Sequence, residues 1–497
     1  MTNYERKIHN SKSNVDWSFD QAIEFLASAK RLSKRPGLPR LKELLTRLGN
    51  PHFACPVIHV AGTNGKSTVC SMIAFIAAEA GKKVGLFTSP YLKNITEKIR
   101  MLDGKSGLQQ VFEDSRAVEI SEQNFTNIMA VIAFEIEVMK AKGYGIPSEE
   151  EILIAAAFIY YAEMECDLLI LETGMGGIMD ATNITTNKIA TIITALSYDH
   201  VEPMGKDITE IAKEKTGIIQ KDVPTFLYDP FDTVLSEEDA AKVTDVFIKE
   251  TNKLNSPLKI VKRSNLEIIS SYLSGQSFKY KDLGPFTIQF GGDYQAQNAA
   301  LAIEGSMLFT DTHTIENGLA LARWPGRLES VTKDPYVLID GAHNQQGVLG
   351  LKKHLEKFFA GQKIIVLMDA LKGKNFHEMI ETFLSSNLYS VSQIICTESD
   401  FEKKLSAKKF AKKVQKIKAK GKSKENLEML QIDENLLKCC VKINDKIILY
   451  SDDRKLATKY AYKLAVENNV PLIVFGSQYL IGNVRSGLYD LSKGKEI

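Results

Sequence analysis

The feature of this 497-residue chain that most restricts its fold is a glycine-containing loop between a predicted strand and a predicted helix. The loop reads Gly62-Thr63-Asn64-Gly65-Lys66-Ser67-Thr68; apolar residues 56–60 precede it, and a helical pattern runs from Thr68 to Ala80. Glycine lets the backbone bend so that successive N–H groups point to one place, and the helix N-terminus adds partial positive charge. This arrangement predicts a phosphate-binding loop in an α/β domain.

The side chains of the loop fit the same interpretation. Lys66 can reach the β- and γ-phosphates of a nucleoside triphosphate, and the hydroxyl of Ser67 or Thr68 can ligate magnesium. The strict form of the motif has glycine where this chain has Val60, so the loop is a variant. The alternative is a plain strand-to-helix turn, but two glycines in register with a strand and a helix favour the phosphate site.

Strands and helices alternate along most of the chain. Strands are predicted at 83–87, 167–171 and 189–195, and helices at 124–140 and 149–163. Such alternation predicts a mostly parallel sheet covered by helices on both faces. We interpret 232–256 as a charged insertion and 266–290 as antiparallel strands.

A second α/β domain is predicted after the polar segment 310–317, which we interpret as a linker. The strand and helix alternation restarts there, with strands at 336–339, 363–368, 393–396, 446–450 and 472–475. The sequence therefore predicts a first domain over 1–315 and a smaller one over 316–497.

Two polar residues follow predicted strands of the first domain. Glu172 ends the apolar run that begins at Asp167, and His200 lies just beyond the strand at 189–195. An acid delivered at the end of a buried strand can hold magnesium beside a phosphate, and ligands bind at this edge of parallel sheets. The glycines at 174–177 also suggest a dinucleotide fingerprint, but no helical apolar pattern follows them.

Lys215 is unusual because it falls on the apolar face of a predicted helix that begins near Asp207. Ile208, Ile211 and Ile219 share that face. The spacing leaves two interpretations open. Lys215 is either a lysine at the edge of the face whose amine reaches solvent, or a buried lysine with a chemical role.

Composition excludes several classes of protein. The formal net charge of +2 gives no field that attracts nucleic acid, and the lysine-rich segment 403–424 is predicted to be a solvated helix face. No apolar run reaches about 18 residues, so no membrane span is expected, and the polar N-terminus does not resemble a signal peptide. Six scattered cysteines without a C-x-x-C pair indicate neither zinc nor disulfides, which fits the cytoplasm.

The ordered set of motifs resembles the folylpolyglutamate synthase and bifunctional dihydrofolate synthase/folylpolyglutamate synthase family of the Mur ligase superfamily. The resemblance runs from about Ser18 to Arg485. Its motifs are residues 34–38, 48–51, 59–66, 87–90, 172–183, 199–200, 214–219, 324–329, 340–344 and 476–482.

The resemblance implies a fold and an activity. The fold is a Mur-ligase-like P-loop ATPase domain with a mostly parallel sheet, plus a smaller C-terminal Rossmann-like α/β domain. The activity is the ATP- and Mg²⁺-dependent ligation of L-glutamate to folates through an acyl phosphate, with dihydropteroate as a further substrate to be tested. A monomer is expected.

The resemblance also implies roles for individual residues. The loop Gly62, Thr63, Asn64, Gly65, Lys66, Ser67 and Thr68 would bind the ATP phosphates. Asn298, Arg327 and Asp340 resemble further nucleotide contacts, and His343 resembles the histidine beside the reacting phosphate. The implied magnesium ligands are Ser89, Glu172 and His200. Lys215 resembles the lysine that is carbamylated in this family.

The chain departs from the family pattern at a few positions. Ser67 replaces a glycine, Ile178 an arginine, Met179 a leucine, Tyr294 a histidine and Gln345 a proline. The change at Ile178 removes a contact to an anionic substrate. Two other functions stay open: a Mur-type ligase for another acid and amino acid, and a nucleotide-binding module without catalysis.

Overall fold

A computed structural model describes residues 17–32, 38–174, 176–198, 207–419, 440–443 and 446–495. The chain forms two compact units, and neither is continuous in sequence. The first unit consists of 1–267, 279–286 and 297–323, and the second of 268–278, 287–296 and 324–497. The predicted boundary at 315/316 falls within the last segment of the first unit.

The first unit is built on a seven-stranded sheet in the order β3-β2-β4-β1-β5-β6-β7. Its strands are β1 (Val57–Ala61), β2 (Lys83–Phe87), β3 (Ile99–Asp103), β4 (Leu168–Glu172), β5 (Lys188–Ile193), β6 (Thr225–Tyr228) and β7 (Leu258–Val261). Every neighbouring pair is parallel except β2 and β3. The predicted mostly parallel sheet is confirmed.

Helices pack on this sheet and on one another, which buries their apolar residues. They are α1 (Phe19–Leu32), α2 (Leu38–Arg47), α3 (Lys66–Glu79), α4 (Gly104–Glu113), α5 (Glu122–Ala141), α6 (Glu149–Glu163), α7 (Ile208–Thr216) and α8 (Glu237–Lys253). Helix α3 is buried from Ser67 to Ala78. Helix α6 begins with a capping box formed by Ser148 and Glu151.

The charged segment 232–256 is not an insertion. Most of it forms helix α8, which connects β6 to β7 and therefore serves as a crossover helix of the parallel sheet. Val243 and Phe247 of α8 belong to the same buried cluster as Ile208 and Ile211 of α7. The charges lie on the outer face of the helix, so charge density was a poor guide to its role.

A small three-stranded sheet follows, as predicted. Its strands β8 (Leu266–Tyr272), β9 (Gly275–Tyr280) and β10 (Leu283–Ile288) are joined by two-residue turns and lie in the order β10-β9-β8. Helix α9 (Tyr294–Ser306) comes next.

The polar segment 310–317 is not a linker. It forms most of helix α10 (Thr312–Leu321), which Asp311 caps by accepting a hydrogen bond from the Thr314 backbone. Ile315 and Leu319 of α10 are buried, and a Cβ built on Gly318 would lie 2.5 Å from the Ile76 Cα in helix α3. Helix α10 therefore packs closely against the helix that follows the phosphate loop.

The second unit contains another seven-stranded sheet, in the order β11-β12-β17-β13-β14-β16-β15. Its strands are β11 (Glu329–Lys333), β12 (Tyr336–Ile339), β13 (Lys363–Met368), β14 (Ser390–Cys396), β15 (Cys440–Ile443), β16 (Lys446–Tyr450) and β17 (Leu472–Phe475). The two edge strands are antiparallel to their neighbours, and the inner strands are parallel. This is the predicted second α/β domain.

Two buried clusters show that helices lie on both faces of this sheet. Helices α11 (Gln345–Phe358), α12 (Phe376–Leu384) and α13 (Ala407–Ala419) contribute to one cluster, and α14 (Arg454–Asn468) and α15 (Gln478–Ser492) to the other. The lysines of α13 from Lys408 to Lys416 are exposed, whereas its Phe410 and Val414 are buried. The predicted solvated face is therefore confirmed for 407–417. Residues 420–424 of the lysine-rich segment, like the motif at 34–37, lie outside the described residues.

Among the described residues, no helix combines the length and apolar character that crossing a bilayer requires.

Candidate active site

The carboxyl ends of three neighbouring parallel strands meet at one edge of the first sheet. Strand β4 lies between β1 and β2, so the residues that follow Ala61, Phe87 and Glu172 come together. Ligands of open parallel sheets bind at this edge. The fold therefore places the predicted phosphate loop, Ser89 and Glu172 next to one another.

The phosphate loop has the backbone conformation that its glycines make accessible. Gly62 and Gly65 have φ values of 145° and 94°. A Cβ built on Gly62 would lie 2.0 Å from Thr194 Oγ1, and one on Gly65 would lie 2.7 Å from Asn298 Oδ1. A side chain at Gly62 would overlap Thr194, and both glycines have positive φ values that other residues rarely adopt, so both positions favour glycine. The second contact also places Asn298 against the loop.

Lys66 is the first residue of helix α3 and folds back over the loop. Its Nζ donates hydrogen bonds to the carbonyl oxygens of Gly62 and Thr63, each at 3.3 Å. The backbone amides of Thr63 and Asn64 donate to the Ala195 carbonyl at 3.0 and 3.1 Å. The ammonium group is thus held at the N-terminus of α3, where a bound anion is favoured by the helix dipole.

Glu172 links the phosphate loop to the segment after β2. The Ser67 hydroxyl donates to Glu172 Oε1 at 2.9 Å, and the Ser89 backbone N–H donates to Glu172 Oε2 at 3.3 Å. The carboxylate is only 1% exposed. Magnesium prefers oxygen ligands and keeps several waters and phosphate oxygens, so a buried carboxylate with the Ser67 hydroxyl beside it fits magnesium. No group of three His, Cys, Asp or Glu residues suited to a metal occurs in the described part of the chain.

Lys215 is buried, so the interpretation of an edge lysine that reaches solvent is wrong. It is 3% exposed, and its Nζ donates to the Gly176 carbonyl at 3.2 Å. The glycine-rich loop lies directly on helix α7, because a Cβ built on Gly177 would lie 2.2 Å from the Glu214 carbonyl oxygen. The predicted magnesium ligand His200 lies outside the described residues.

Other polar groups near Gly174 were not predicted from the sequence as site residues. A Cβ built on Gly174 would lie 3.6 Å from both Asp180 Oδ2 and Glu150 Oε1, and 4.0 Å from Ser89 Oγ. Lys98 is buried and pairs with Glu150 Oε2 at 2.6 Å. Asp180 lies within the motif at 172–183 and begins the capping pattern Asp180-x-Thr182, whereas nothing local marks Lys98 or Glu150.

In the second unit, the predicted site residues Arg327, Asp340 and His343 lie around Gly341. The buried Asp340 carboxylate accepts backbone hydrogen bonds from Leu328 and Ala342, each at 2.9 Å. Burial raises the pKa of Asp340, while the Arg327 charge and these two N–H groups oppose the rise. His343 Nδ1 lies 2.8 Å from the Gly341 carbonyl oxygen, and Arg327 lies beside the same glycine.

An ion pair fixes the segment that carries Arg327. Glu329 accepts a hydrogen bond from the Gly326 backbone at 2.7 Å and is held by Arg485 of α15 and by the Tyr489 hydroxyl. The Arg485 guanidinium contacts both carboxylate oxygens, which makes the pair directional. This support was not predicted from the sequence.

The fold, the phosphate loop and the buried carboxylate define a Mur-type ligase. The Mur ligase middle domain model matches residues 60–304, and the model described as dihydrofolate synthetase, C-terminal domain, matches 327–488. The dihydrofolate synthase/folylpolyglutamate synthase of Bacillus subtilis is 32% identical over 380 residues, covering 73% of this chain and 82% of that protein. The chain belongs to the folylpolyglutamate synthase/dihydrofolate synthase family of ATP-dependent ligases.

Further relatives and solved structures agree with this assignment. The dihydrofolate synthetase of Saccharomyces cerevisiae is 29% identical, with 73% of this chain and 81% of that protein covered. A folylpolyglutamate synthase complex with AMPPCP and folate superposes with a TM-score of 0.72 at 25% identity, over 95% of this chain and 100% of that one. The Mycobacterium tuberculosis folylpolyglutamate synthase with ADP and AMPPCP has a TM-score of 0.75 at 23% identity, over 94% and 99%, which supports the shared fold.

Proposed function

We propose that this chain uses ATP and magnesium to join L-glutamate to a folate or to dihydropteroate. The observation that carries the proposal is the buried Glu172 carboxylate. It accepts hydrogen bonds from the Ser67 hydroxyl of the phosphate loop and from the Ser89 backbone N–H. Family membership and the AMPPCP–folate complex of a relative support the same two ligands.

The reaction has two balanced steps. A carboxylate oxygen of the folate attacks the γ-phosphorus of ATP, the bond to the β-phosphate oxygen breaks, and ADP leaves. The glutamate amine then attacks the carbonyl carbon of the acyl phosphate, phosphate leaves, and the nitrogen loses a proton. Phosphorylation is needed because a free carboxylate offers no leaving group to an amine. The Lys66 ammonium and the α3 N-terminus stabilise the phosphate charge during transfer.

Magnesium would be held by Ser89 and Glu172, with the hydroxyl of Ser67 or Thr68 nearby, and would neutralise phosphate charge. His200 is proposed as a further ligand. Carbamylation of the buried Lys215 would turn a cation into an anionic oxygen ligand. Its contact with the Gly176 carbonyl supports a place for it in the glycine-rich loop of the site. Arg327, Asp340 and Asn298 are proposed to bind nucleotide, and His343 is proposed as a catalytic residue beside the reacting phosphate.

We also propose a monomer in the cytoplasm. The four cysteines whose side chains are described, Cys55, Cys70, Cys166 and Cys396, are buried free thiols, which supports a reducing compartment. Ile178 and Met179 are about half exposed beside the glycine-rich loop and offer no charge to an anionic tail. Dihydropteroate, which carries one carboxylate, therefore belongs in the substrate test beside tetrahydrofolate.

The test is an amide-forming assay with purified protein, ATP, magnesium and L-glutamate. Dihydropteroate and tetrahydrofolate are offered in parallel, and products are identified by mass. We expect a mass gain of one glutamate with at least one of them, together with stoichiometric ADP and phosphate. Nucleotide hydrolysis without a new amide would contradict the proposal.

Replacing Lys66 tests the phosphate loop. Lys66→Ala should lower turnover by at least about 100-fold, because a charge aimed at the transferred group is lost. The variant should keep its melting temperature, since the hydrogen bonds that Lys66 makes to described residues go to carbonyls of its own loop. Lys105→Ala, which removes a largely exposed lysine, is the control. Near-normal turnover in Lys66→Ala would overturn the assignment.

A further inference from the structure

Two side chains join the C-terminal end of helix α7 to the glycine-rich loop after β4. Lys188, the first residue of β5, is 7% exposed, and its Nζ donates hydrogen bonds to Asn183 Oδ1 at 2.9 Å and to the Ile218 carbonyl at 2.8 Å. Asn183 Nδ2 in turn donates to the Gly217 carbonyl at 2.9 Å and to the Ile178 carbonyl at 3.4 Å. Lys188 and Asn183 therefore bridge the end of the helix and the loop.

The orientation of the Asn183 amide follows from its neighbours. Carbonyl oxygens only accept hydrogen bonds, so the amide nitrogen must face those of Gly217 and Ile178, which leaves the amide oxygen for Lys188. Burial lowers the pKa of Lys188 to about 7, while the charge of Asp180 opposes the fall. The neutral amine still has two N–H groups, one for each of its acceptors. The bridge is therefore satisfied in both protonation states of the lysine.

The two surfaces that this bridge holds together also position Lys215. A Cβ built on Gly217 would lie 2.4 Å from Ile178 Cγ1, so the end of α7 and the loop are in direct contact. Lys215, in the last turn of α7, is 3% exposed, and its Nζ donates to the Gly176 carbonyl at 3.2 Å. A shift of α7 along the loop would therefore move the Lys215 amine away from its place in the site.

We propose that Asn183 and Lys188 are positioning residues that hold the end of α7 against the glycine-rich loop and thereby fix the Lys215 amine at Gly176. This inference rests on the carbamylation that the proposed function assigns to Lys215. In that step the lysine nitrogen attacks the carbon of carbon dioxide, one carbon–oxygen π bond breaks to give the carboxylate, and the nitrogen releases a proton to water. A simple cap of α7 accounts for the contact of Lys188 with the Ile218 carbonyl. It does not account for an amide that contacts both the helix end and the loop.

Lys188→Met keeps the length of the side chain and removes its N–H donors. We expect the kcat for amide formation to fall about tenfold, as is typical when a partner behind a metal ligand is lost. The KM for ATP should stay close to the wild-type value, because the phosphate loop is not altered. Added bicarbonate should restore most of the lost kcat, since a higher concentration of carbon dioxide favours the carbamate by mass action.

Asn183→Leu removes the other half of the bridge and should lower kcat to the same extent. The double variant should be no less active than either single variant, because the two side chains act as one unit. Asn183 is only partly buried, so Asn183→Leu carries the test if Lys188→Met does not fold. Additive losses in the double variant would contradict a shared role.

Thr191→Val is the matched control. Thr191 is fully buried, and its hydroxyl donates to the same Ile218 carbonyl at 3.2 Å, so the substitution weakens the cap of α7 but keeps the bridge to the loop. We expect its kcat to stay near the wild-type value. Equal losses of kcat in Thr191→Val and Lys188→Met would overturn the inference. A Lys188→Met protein that melts at a lower temperature but keeps its kcat would overturn it as well.

A readout without turnover separates this inference from the proposed function. The protein is equilibrated with limiting carbon-13 bicarbonate, and the carbamate is detected by carbon-13 NMR. We expect a carbamate signal in the wild-type protein that is absent from Lys215→Ala, weakened in Lys188→Met and unchanged in Thr191→Val. No carbamate in the wild-type protein, or an undiminished signal in Lys188→Met, would refute the inference even if ligase activity is found. The expected signals without ligase activity would refute the proposed function but leave the positioning roles of Asn183 and Lys188 standing.

Discussion

At the scale of single residues, we expect Asp369 to give the second unit a pH-dependent stability. It lies directly after β13, is 1% exposed, and accepts a hydrogen bond from the Ser477 hydroxyl at 2.7 Å. Burial raises its pKa from the usual value near 3.8 to about 6. The folded protein therefore binds this proton more tightly than the unfolded chain does. The resulting stability is complete below about pH 3.8 and is lost as the pH rises through about 6.

Asp369→Asn should flatten this pH dependence, because asparagine still accepts from Ser477 but never ionises. The difference in unfolding free energy between pH 4 and pH 8 should shrink by on the order of 3 kcal/mol at most. Urea unfolding at several pH values measures it. Asp452→Asn, at an exposed aspartate, should leave the dependence unchanged. An unaltered pH dependence in Asp369→Asn would contradict the burial argument.

Residues differ in how far sequence alone could assign them. Glu172 was predictable because an apolar run delivers it to the end of a strand, and Lys66 because its loop has a recognisable pattern. Glu150 and Lys98 meet only through tertiary packing, 52 residues apart, and no local pattern encodes that contact.

At the scale of elements, helix α10 shows where composition misled the prediction. Its first turn is polar, so the segment resembled a linker, yet Ile315 and Leu319 are spaced by four and point inward. Asp311 followed by Thr314 was a usable start signal. The parallel strands were easier to predict because their apolar runs are continuous.

Replacing Gly318 in α10 with alanine should destabilise the protein, which is the opposite of the usual effect at a helical glycine. Alanine normally stabilises such a position by about 1 kcal/mol. Here the added methyl group would lie 2.5 Å from the Ile76 Cα, which is backbone and cannot rotate away. We expect Gly318→Ala to destabilise the protein by about 1–3 kcal/mol. Urea unfolding measures this change in the free energy of unfolding. Glu316→Ala, on the exposed face of the same helix, is the control. If Gly318→Ala were more stable than the wild-type protein, α10 and α3 would not be in close contact.

At the scale of the whole molecule, the chain enters the second unit three times. Segments 268–278 and 287–296 belong to that unit, although they precede its main part by tens of residues. Asp293 pairs with Lys357 at 3.0 Å, and a Cβ built on Gly350 would lie 2.8 Å from the Tyr294 ring. A prediction from local patterns assigns continuous domains, because it contains no information on such long-range packing.

Cutting the chain at 315/316 tests how far the second unit depends on these segments. A fragment of 316–497 lacks the contacts of Asp293 and Tyr294, so it should unfold at a lower temperature than the corresponding transition of the full chain. Adding a peptide of 268–296 should raise the melting temperature of the fragment in proportion to the logarithm of peptide concentration, because a ligand of the folded state stabilises it by mass action. A peptide of 237–253, which belongs to the first unit, should have no effect. If the fragment melts like the full chain and ignores both peptides, then 316–497 is a self-sufficient domain and the packing of 268–296 contributes nothing to its stability.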